Sequence, residues 1–156
     1  MQTSTRIRHL LYLCVVLTQL LVAGCSSPPT EQAITDALNE MAVALQERES
    51  GPVMSRLHES FHSEGSGSTM NRRDIQRLLL AAFYRHQNIS MTLTNIRVET
   101  DAMNKSRATA YFNALTTGGD GGWLPNTAQL YRVESEWVFD GDWMMQSLSA
   151  KRALEQ

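Results

Sequence analysis

Positive charge, cysteine and long apolar runs are all scarce in this sequence of 156 residues. Lys and Arg number 14 against 16 Asp and Glu, which gives a formal net charge of −2, so a basic surface that grips nucleic acid is not expected. The two cysteines are Cys14 and Cys25, so an intramolecular disulfide beyond residue 25 is excluded. With 42% apolar and 19% charged residues, the composition is that of one packed globular domain.

The longest apolar stretch lies near the start, from Leu10 to Gly24. It is shorter than the roughly 20 apolar residues that a membrane-spanning helix needs. Arg6 and Arg8 precede it, and it ends in small residues. A basic start, an apolar middle and a small-residue end predict a secretory signal peptide over residues 1–24 rather than a membrane span.

The end of this segment, Val22-Ala23-Gly24-Cys25, resembles the lipobox of bacterial lipoproteins. The resemblance implies cleavage between Gly24 and Cys25, diacylglycerol and acyl chains on Cys25, and a lipidated tether over residues 25–30. In proteins with such a lipobox, an aspartate after the lipidated cysteine resembles an inner-membrane retention signal. Here Ser26 and Ser27 follow the cysteine instead, and the resemblance therefore implies an outer-membrane location facing the periplasm. The alternative is that Cys25 is an ordinary apolar residue of an uncleaved helix or a disulfide partner.

Helical spacing predicts three helices in the first half of the remaining chain. Thr30 can cap the first, which runs to about residue 49, and a shorter second helix is predicted over residues 52–61. The sequence SEGSGST at 63–69 predicts a flexible loop, after which Asn71 and Asp74 form a capping-box pattern that opens the third helix. The apolar positions of the three helices are Ile34, Leu38, Met41 and Leu45; Val53, Met54, Leu57 and Phe61; and Ile75, Leu78, Leu79, Ala82 and Phe83.

The apolar period changes from 3.6 to 2 after Asn88. Four strands are predicted, over about 89–98, 107–114, 130–139 and 143–150, with a bulge in the first at Thr94-Asn95 and a tight hairpin at Asp140-Gly141 before the last. Helices followed by antiparallel strands predict an α+β domain over residues 31–150, in which a curved four-stranded antiparallel sheet wraps three helices. Residues 151–156 are left as a C-terminal tail.

This element order, closing on Trp137-Val138-Phe139-Asp140-Gly141-Asp142-Trp143, is similar to the nuclear transport factor 2-like superfamily, which includes SnoaL-like enzymes. Cystatin-like proteins have a closely similar order. The resemblance implies a cone-shaped fold whose apolar interior binds a small molecule, and a homodimer formed through the sheet. Strand parity and the end of the third helix give the candidate pocket residues: Tyr84, His86, Phe112, Tyr131, Ser135 and Trp137.

One motif suggests a metal site, because His58-Glu59-Ser60-Phe61-His62 matches H-E-x-x-H. On a helix, His58 and His62 share a face and can bind zinc while Glu59 acts as the base. Position 68, where the longer metzincin pattern needs a third ligand, is Ser68. The favoured interpretation is therefore a helix end with two solvated histidines, with no metal and no cofactor expected.

Two further patterns have ordinary structural interpretations. The glycines at 117–122 could form a phosphate cradle, but they precede a strand rather than a helix, which favours a connecting loop. The arginines of the third helix, which favour a solvated face, are Arg72, Arg73, Arg77 and Arg85.

The sequence therefore predicts a lipoprotein held in the outer membrane by Cys25, whose domain binds a small apolar ligand or assembles with an envelope protein or a second copy, without catalysis. The alternative is a SnoaL-like isomerase or dehydratase acting on a small apolar substrate. An H-E-x-x-H zinc hydrolase at His58, Glu59 and His62 ranks third. No coherent acid–base set is found in the sequence, so no catalytic residue is assigned.

Overall fold

The computed structural model describes residues 29–65, 68–119 and 128–153. The predicted signal peptide, Cys25, most of the tether and most of the C-terminal tail lie outside these residues. Within the described ranges no helix is long and apolar enough to cross a bilayer. The elements are α1 (Thr30–Glu47), α2 (Ser50–Ser55), β1 (Leu57–Gly65), β2 (Ser68–Asn71), α3 (Arg72–Arg85), β3 (Asn88–Thr100), β4 (Arg107–Gly119), β5 (Gln129–Phe139) and β6 (Trp143–Arg152).

Helix α1 follows the predicted periodicity and buries Ile34, Leu38 and Met41. Thr30 is its first helical residue rather than its cap, and no side chain caps this helix start. The helix ends at Glu47 because Arg48 adopts the left-handed conformation, with φ of 61°.

The second helix was predicted over residues 52–61, and this prediction is wrong beyond Ser55. Helix α2 stops at Ser55, and the chain continues as strand β1 from Leu57 to Gly65. Leu57 and Phe61 are four residues apart, a spacing that places them on one side of a helix and equally on one side of a strand. The choice is made by pairing with the distant strand β6, which runs parallel to β1.

The predicted loop at 63–69 is also replaced by strand structure. β1 continues through Ser63, which pairs with Met70 of β2 in an antiparallel register. The sheet therefore has six strands in the order β2-β1-β6-β5-β4-β3, and the prediction of four strands is corrected. The β1–β6 pair is parallel, so the prediction of a wholly antiparallel sheet is corrected as well.

The strands from β3 onward agree with the alternation in the sequence. The predicted bulge of β3 is confirmed, because the β3–β4 register shifts between Thr94 and Arg97 and Asn95 has φ of 55°. The hairpin between β5 and β6 is also confirmed, with Gly141 at φ of 77°.

Helix α3 begins with the predicted capping box. The Asn71 side chain accepts hydrogen bonds from the backbone N–H groups of Arg73 and Asp74, and Asp74 accepts one from the Asn71 N–H. Its predicted apolar face is only partly covered, because Phe83 is its one buried residue in the described structure and Leu78 is 52% exposed. This helix contacts α2, β1 and β2 at one end of the curved sheet.

The core lies between α1 and the inner face of the sheet. We call its densely packed part the filled end; its largest fully buried side chains include Ile34 and Trp137, and Ala110, Ser135 and Trp143 are also buried there. Near α3, by contrast, several apolar side chains of the sheet are only half-buried: Met91, Leu93, Leu148 and Ala150. The candidate site therefore lies near α3, where the core is less densely packed.

Candidate functional site

An apolar cavity of about 320 Å³ lies between the C-terminal half of α1, helix α3 and the inner face of the sheet. Leu78 of α3 lines it and is half-exposed, so the cavity opens to solvent beside this helix. We call this part of the molecule the open end. Its apolar walls are formed by Leu38, Met41, Ala42, Leu45, Val53, Leu57, Phe61, Ile75, Leu78, Leu79, Met91, Leu93, Phe112, Ala114, Val133, Met145, Leu148 and Ala150.

Three residues with hydroxyl groups complete the lining: Ser63, Thr116 and Tyr131. Ser63 is buried on β1. The Tyr131 hydroxyl donates to Oε1 of Gln129, and the Thr116 hydroxyl donates to the Gln129 carbonyl at 3.4 Å. Two of the three polar groups therefore lie together where β4 ends and β5 begins, and apart from Ser63 the rest of the described lining is apolar.

The described cavity wall contains no carboxylate, imidazole, amine or guanidinium group. A general base or acid must lie within hydrogen-bond reach of the atom it protonates or deprotonates. Tyr131 is the one titratable side chain that the described lining supplies. Among the described lining residues, apolar side chains therefore predominate, and none carries a carboxylate or an imidazole.

The six predicted pocket residues separate into three groups. Phe112 and Tyr131 line the cavity. Ser135 and Trp137 share their strand face but belong to the filled end, where Trp137 Nε1 donates to Ser135 Oγ at 2.9 Å. Tyr84 is 90% exposed, and neither it nor the half-buried His86 is part of the cavity lining.

The H-E-x-x-H motif lies on β1, so the helical geometry behind the zinc prediction is wrong. The spacing that brings His58 and His62 onto one helix face is therefore absent, and the register of β1 against β6 shifts between Leu57 and His62, within the motif. Nδ1 of His58 instead lies 2.8 Å from Ser60 Oγ. Glu59 is exposed, and no group of three metal-ligating side chains occurs in the part of the chain that the structure describes.

The remaining sequence motifs are only partly within the described residues. β4 extends through Thr117 to Gly119, while the following loop, 120–127, lies outside them. On α3, Arg77 is 3.6 Å from Asp74, and Arg72 Nη2 donates to the Met54 carbonyl at 2.9 Å. Arg73 and Arg85 are exposed. Arg72 therefore has a structural role that the prediction of a solvated face did not include.

Sequence reasoning missed the contribution of β1 to the cavity. Leu57, Phe61 and Ser63 line it from a strand that was predicted as helix and loop. The residues of α1 and α3 were predicted as buried faces, but their periodicity carries no information about unfilled volume between them. The available signal for β1 was the alternation of Leu57, Phe61 and Ser63 at even intervals.

Comparison with known proteins gives a fold and no sequence relative. No family model and no curated protein matches the chain. A scytalone dehydratase-type protein from Novosphingobium aromaticivorans DSM 12444 has a TM-score of 0.70 and 13% identity, over 79% of this chain and 83% of that one. The fold is the NTF2-like fold.

Two further solved structures share the NTF2-like fold with this chain. A dehydratase-type protein of the NTF2-like family from Streptomyces avermitilis has a TM-score of 0.67 and 14% identity, over 80% of this chain and 96% of its own. The hexachlorocyclohexane dehydrochlorinase LinA-type3 from Novosphingobium barchaimii LL02 has a TM-score of 0.63 and 19% identity, over 80% of this chain and 86% of its own. The predicted cone-shaped α+β fold is confirmed, with six strands in place of four.

Proposed function

We propose that this protein holds a small apolar ligand in the open end of its cone and does not transform it. The observation that carries the proposal is the cavity of about 320 Å³, whose described wall is apolar except for Ser63, Thr116 and Tyr131. This volume lies at the lower end of the range of about 300–1,000 Å³ that small-molecule pockets occupy. Burial of apolar ligand surface supplies the binding free energy, at about 25 cal/mol per Å².

The hydroxyl groups near Gln129 can orient a bound ligand. Tyr131 and Thr116 both donate to Gln129, so their oxygen lone pairs are free to accept a hydrogen bond from one polar end of a ligand. The expected ligand therefore has an apolar body and at most one small polar end. This fits the predicted small apolar ligand.

A filled cavity tests the proposal. Ala114 is buried and lines the cavity, so Ala114→Leu places additional methyl groups in the volume that the ligand would occupy. The neutral fluorescent probe N-phenyl-1-naphthylamine is expected to bind the wild type saturably, and Ala114→Leu is expected to weaken that binding at least tenfold. Val43→Leu is the matched control, because Val43 is half-exposed on α1 outside the cavity.

Equal probe binding by wild type and Ala114→Leu, with both proteins folded by circular dichroism, contradicts the proposal. Thr116→Leu, which enlarges another lining residue, guards against an Ala114 variant that merely unfolds. Loss of binding in both cavity variants, with retention in Val43→Leu, supports it.

An elimination enzyme is the second candidate, and the fold shared with dehydratase- and dehydrochlorinase-type proteins favours it. Elimination needs a base that removes a proton, and the described lining offers only Tyr131 as a titratable group. If the chain is such an enzyme, Tyr131→Phe abolishes turnover of a halogenated or hydroxylated apolar substrate and leaves probe binding intact. Binding without turnover in the wild type supports the non-catalytic function.

The proposal also includes the location of the protein in the cell. We propose that Cys25 carries the lipid anchor and that the domain faces the periplasm from the outer membrane; the lipobox resemblance of Val22–Cys25 supports it. Metabolic labelling with a clickable fatty acid tests the anchor: the wild type is expected to incorporate label, and Cys25→Ala is not. The predicted protein partners, a second copy or an envelope protein, stay predictions.

A further inference from the structure

The outer face of the sheet, which turns away from the cavity, carries a groove of about 500 Å³. It extends over β3, β4, β5 and β6, whose side chains alternate between the inner and outer faces. Arg132, for example, points outward between Tyr131 and Val133, which line the cavity. A ligand in this groove is therefore separated from the cone interior by the sheet itself.

Two cations lie directly opposite each other in this groove. Arg132 of β5 pairs in register with Lys151 of β6, and both side chains are exposed. Opposed residues have Cβ atoms about 4.5–5.5 Å apart, and like charges at such positions destabilise a sheet. In the described structure neither side chain forms an ion pair.

A third cation, Arg97, and two amides lie further across the sheet, and Arg97 is paired with Glu99, whose Oε1 is 3.3 Å from the Arg97 Nη2. Asn113 of β4 is the register partner of Arg132 on its other side, and Asn95 lies at the bulge of β3. Arg97 of β3 pairs in register with Tyr111 of β4, and its Cζ lies over the Tyr111 ring, 5.0 Å from the ring centroid. These neighbours supply hydrogen-bond donors of the kind that surround bound oxyanions.

One acid belongs to the same groove. Glu134 pairs in register with Tyr111 on one side and with Ser149 on the other. It is next but one to Arg132 along β5, on the same outer face. A carboxylate here repels a bare anion but accepts a hydrogen bond from a hydroxyl group.

We propose that this groove binds a hydroxyl-bearing phosphate ester, with its phosphate at Arg132 and Lys151 and a hydroxyl at Glu134. Guanidinium and ammonium groups bind phosphate oxygens through charge-assisted hydrogen bonds, and Arg can do so with two parallel bonds. The bound phosphate offsets the repulsion between the two cations. The same chemistry is found in a soluble sugar or glycerol phosphate and in the glycerophosphate headgroup of a lipid.

Calorimetric titration with glycerol 1-phosphate tests the site at low ionic strength, because salt screens exposed charges. The double variant Arg132→Gln/Lys151→Gln is expected to bind at least tenfold more weakly than the wild type. The matched control is Arg73→Gln/Arg85→Gln, which removes the same charge from exposed positions of α3 and is expected to stay within twofold. Equal losses in both double variants, or no loss in either, overturn the proposal.

Folding and the cone interior provide two internal checks. Removal of a like-charge pair is expected to leave the melting temperature of the groove variant equal to or above that of the wild type. Ala114→Leu is expected to leave glycerol phosphate binding unchanged, because Ala114 lines only the cavity. Loss of phosphate binding in Ala114→Leu overturns the assignment to the outer groove, independently of the apolar-ligand proposal.

Glu134→Gln tests the hydroxyl contact. This variant is expected to weaken glycerol 1-phosphate binding and to strengthen binding of inorganic pyrophosphate, which has no carbon-bound hydroxyl and loses a repulsive neighbour. The opposite pair of signs overturns the role of Glu134.

Vesicles distinguish the two sources of the ligand. Co-sedimentation with phosphatidylglycerol vesicles, but not with phosphatidylcholine vesicles, that depends on Arg132 and Lys151 supports a lipid headgroup. Binding of glycerol 1-phosphate without such co-sedimentation supports a soluble ester.

Discussion

The filled end and the open end of the cone are built from the same strands but differ in how the inner face is occupied. At the filled end, Trp137 is 1% exposed and pairs in register with the buried Ala108, and Trp143 is buried as well, so large indole rings and small residues occupy the same core. At the open end, Met91 and Leu93 are half-buried and Leu78 is half-exposed, which leaves the cavity. One end is close-packed, and the other has room for a ligand.

The comparison indicates that stability and ligand binding depend on different ends of the same sheet. Close packing maximises dispersion contacts, so substitutions at the filled end should cost most of the folding free energy. The open end contributes less burial and can accept changes of volume. The four predictions below test this division.

The largest effect is expected at Trp137. Trp137→Ala removes a buried ring and the Nε1 donor to Ser135, and should destabilise the protein by about 3–5 kcal/mol. Leu78→Ala at the open end should cost less than about 1 kcal/mol, since half of that side chain is already exposed. Urea unfolding followed by circular dichroism measures both. Similar losses for the two variants would contradict the division.

A matched pair of alanines on β4 provides the second test. Ala110 is fully buried at the filled end, so Ala110→Leu should overpack it and cost about 1–3 kcal/mol. Ala114 lines the cavity four residues away, so Ala114→Leu should change the free energy of unfolding by less than about 1 kcal/mol. The same unfolding measurement ranks the two. A larger cost at Ala114 would mean that the cavity closes in solution.

The hairpin next to the filled end should be sensitive to backbone conformation. Gly141 has φ of 77°, so Gly141→Ala should cost about 1–2 kcal/mol although nothing lies within 4 Å of the new Cβ. Gly51 has the same open surroundings but is helical in α2, so Gly51→Ala should stabilise by about 0.5–1 kcal/mol. Thermal unfolding should show the two melting temperatures moving in opposite directions.

The smallest effect concerns pH at the turn between β3 and β4. Hydrogen bonds from the backbone N–H groups of Met103 and Asn104 lower the pKa of Asp101 below its ordinary value of 3.8. A lowered folded-state pKa contributes stability above the unfolded value, and that contribution is lost as pH falls through the folded-state pKa.

Asp101→Asn removes this titration. The difference in unfolding free energy between wild type and Asp101→Asn should be constant near neutrality and change in favour of the variant as pH falls below 3.8. Urea unfolding at a series of pH values measures it. A difference that does not vary with pH would contradict the role of the Asp101 carboxylate.

Local signals in the sequence predicted those features that depend on neighbouring residues. The capping box at Asn71, the bulge at Asn95 and the hairpin at Gly141 each depend on backbone groups within a few positions. Their physical causes are short-range, so residue type and spacing suffice.

The prediction failed where a segment fits two periods. Leu57 and Phe61 satisfy both helical and strand spacing, and the Gly/Ser-rich stretch after them has little intrinsic preference for strand. Pairing of Ser63 with Leu148, far away in the sequence, settled the structure as strand. Because this segment was predicted as helix and loop, β1 was missing from the predicted cavity wall.

Strand parity correctly placed Phe112, Tyr131, Ser135 and Trp137 on the inner face, because alternation is a property of each strand. It could not show which of them lie at the filled end and which at the open end. That depends on the curvature of the sheet and on where α3 packs.

The sequence by itself determined the α+β order, the inner and outer faces of four strands, and the turns between neighbours, since these follow from local backbone chemistry and from which side chains avoid water. Only the tertiary structure decided the parallel β1–β6 pairing, the separation of the filled end from the open end, and the alignment of Arg132 with Lys151. These depend on contacts between residues distant in the chain, whose geometry no local pattern encodes.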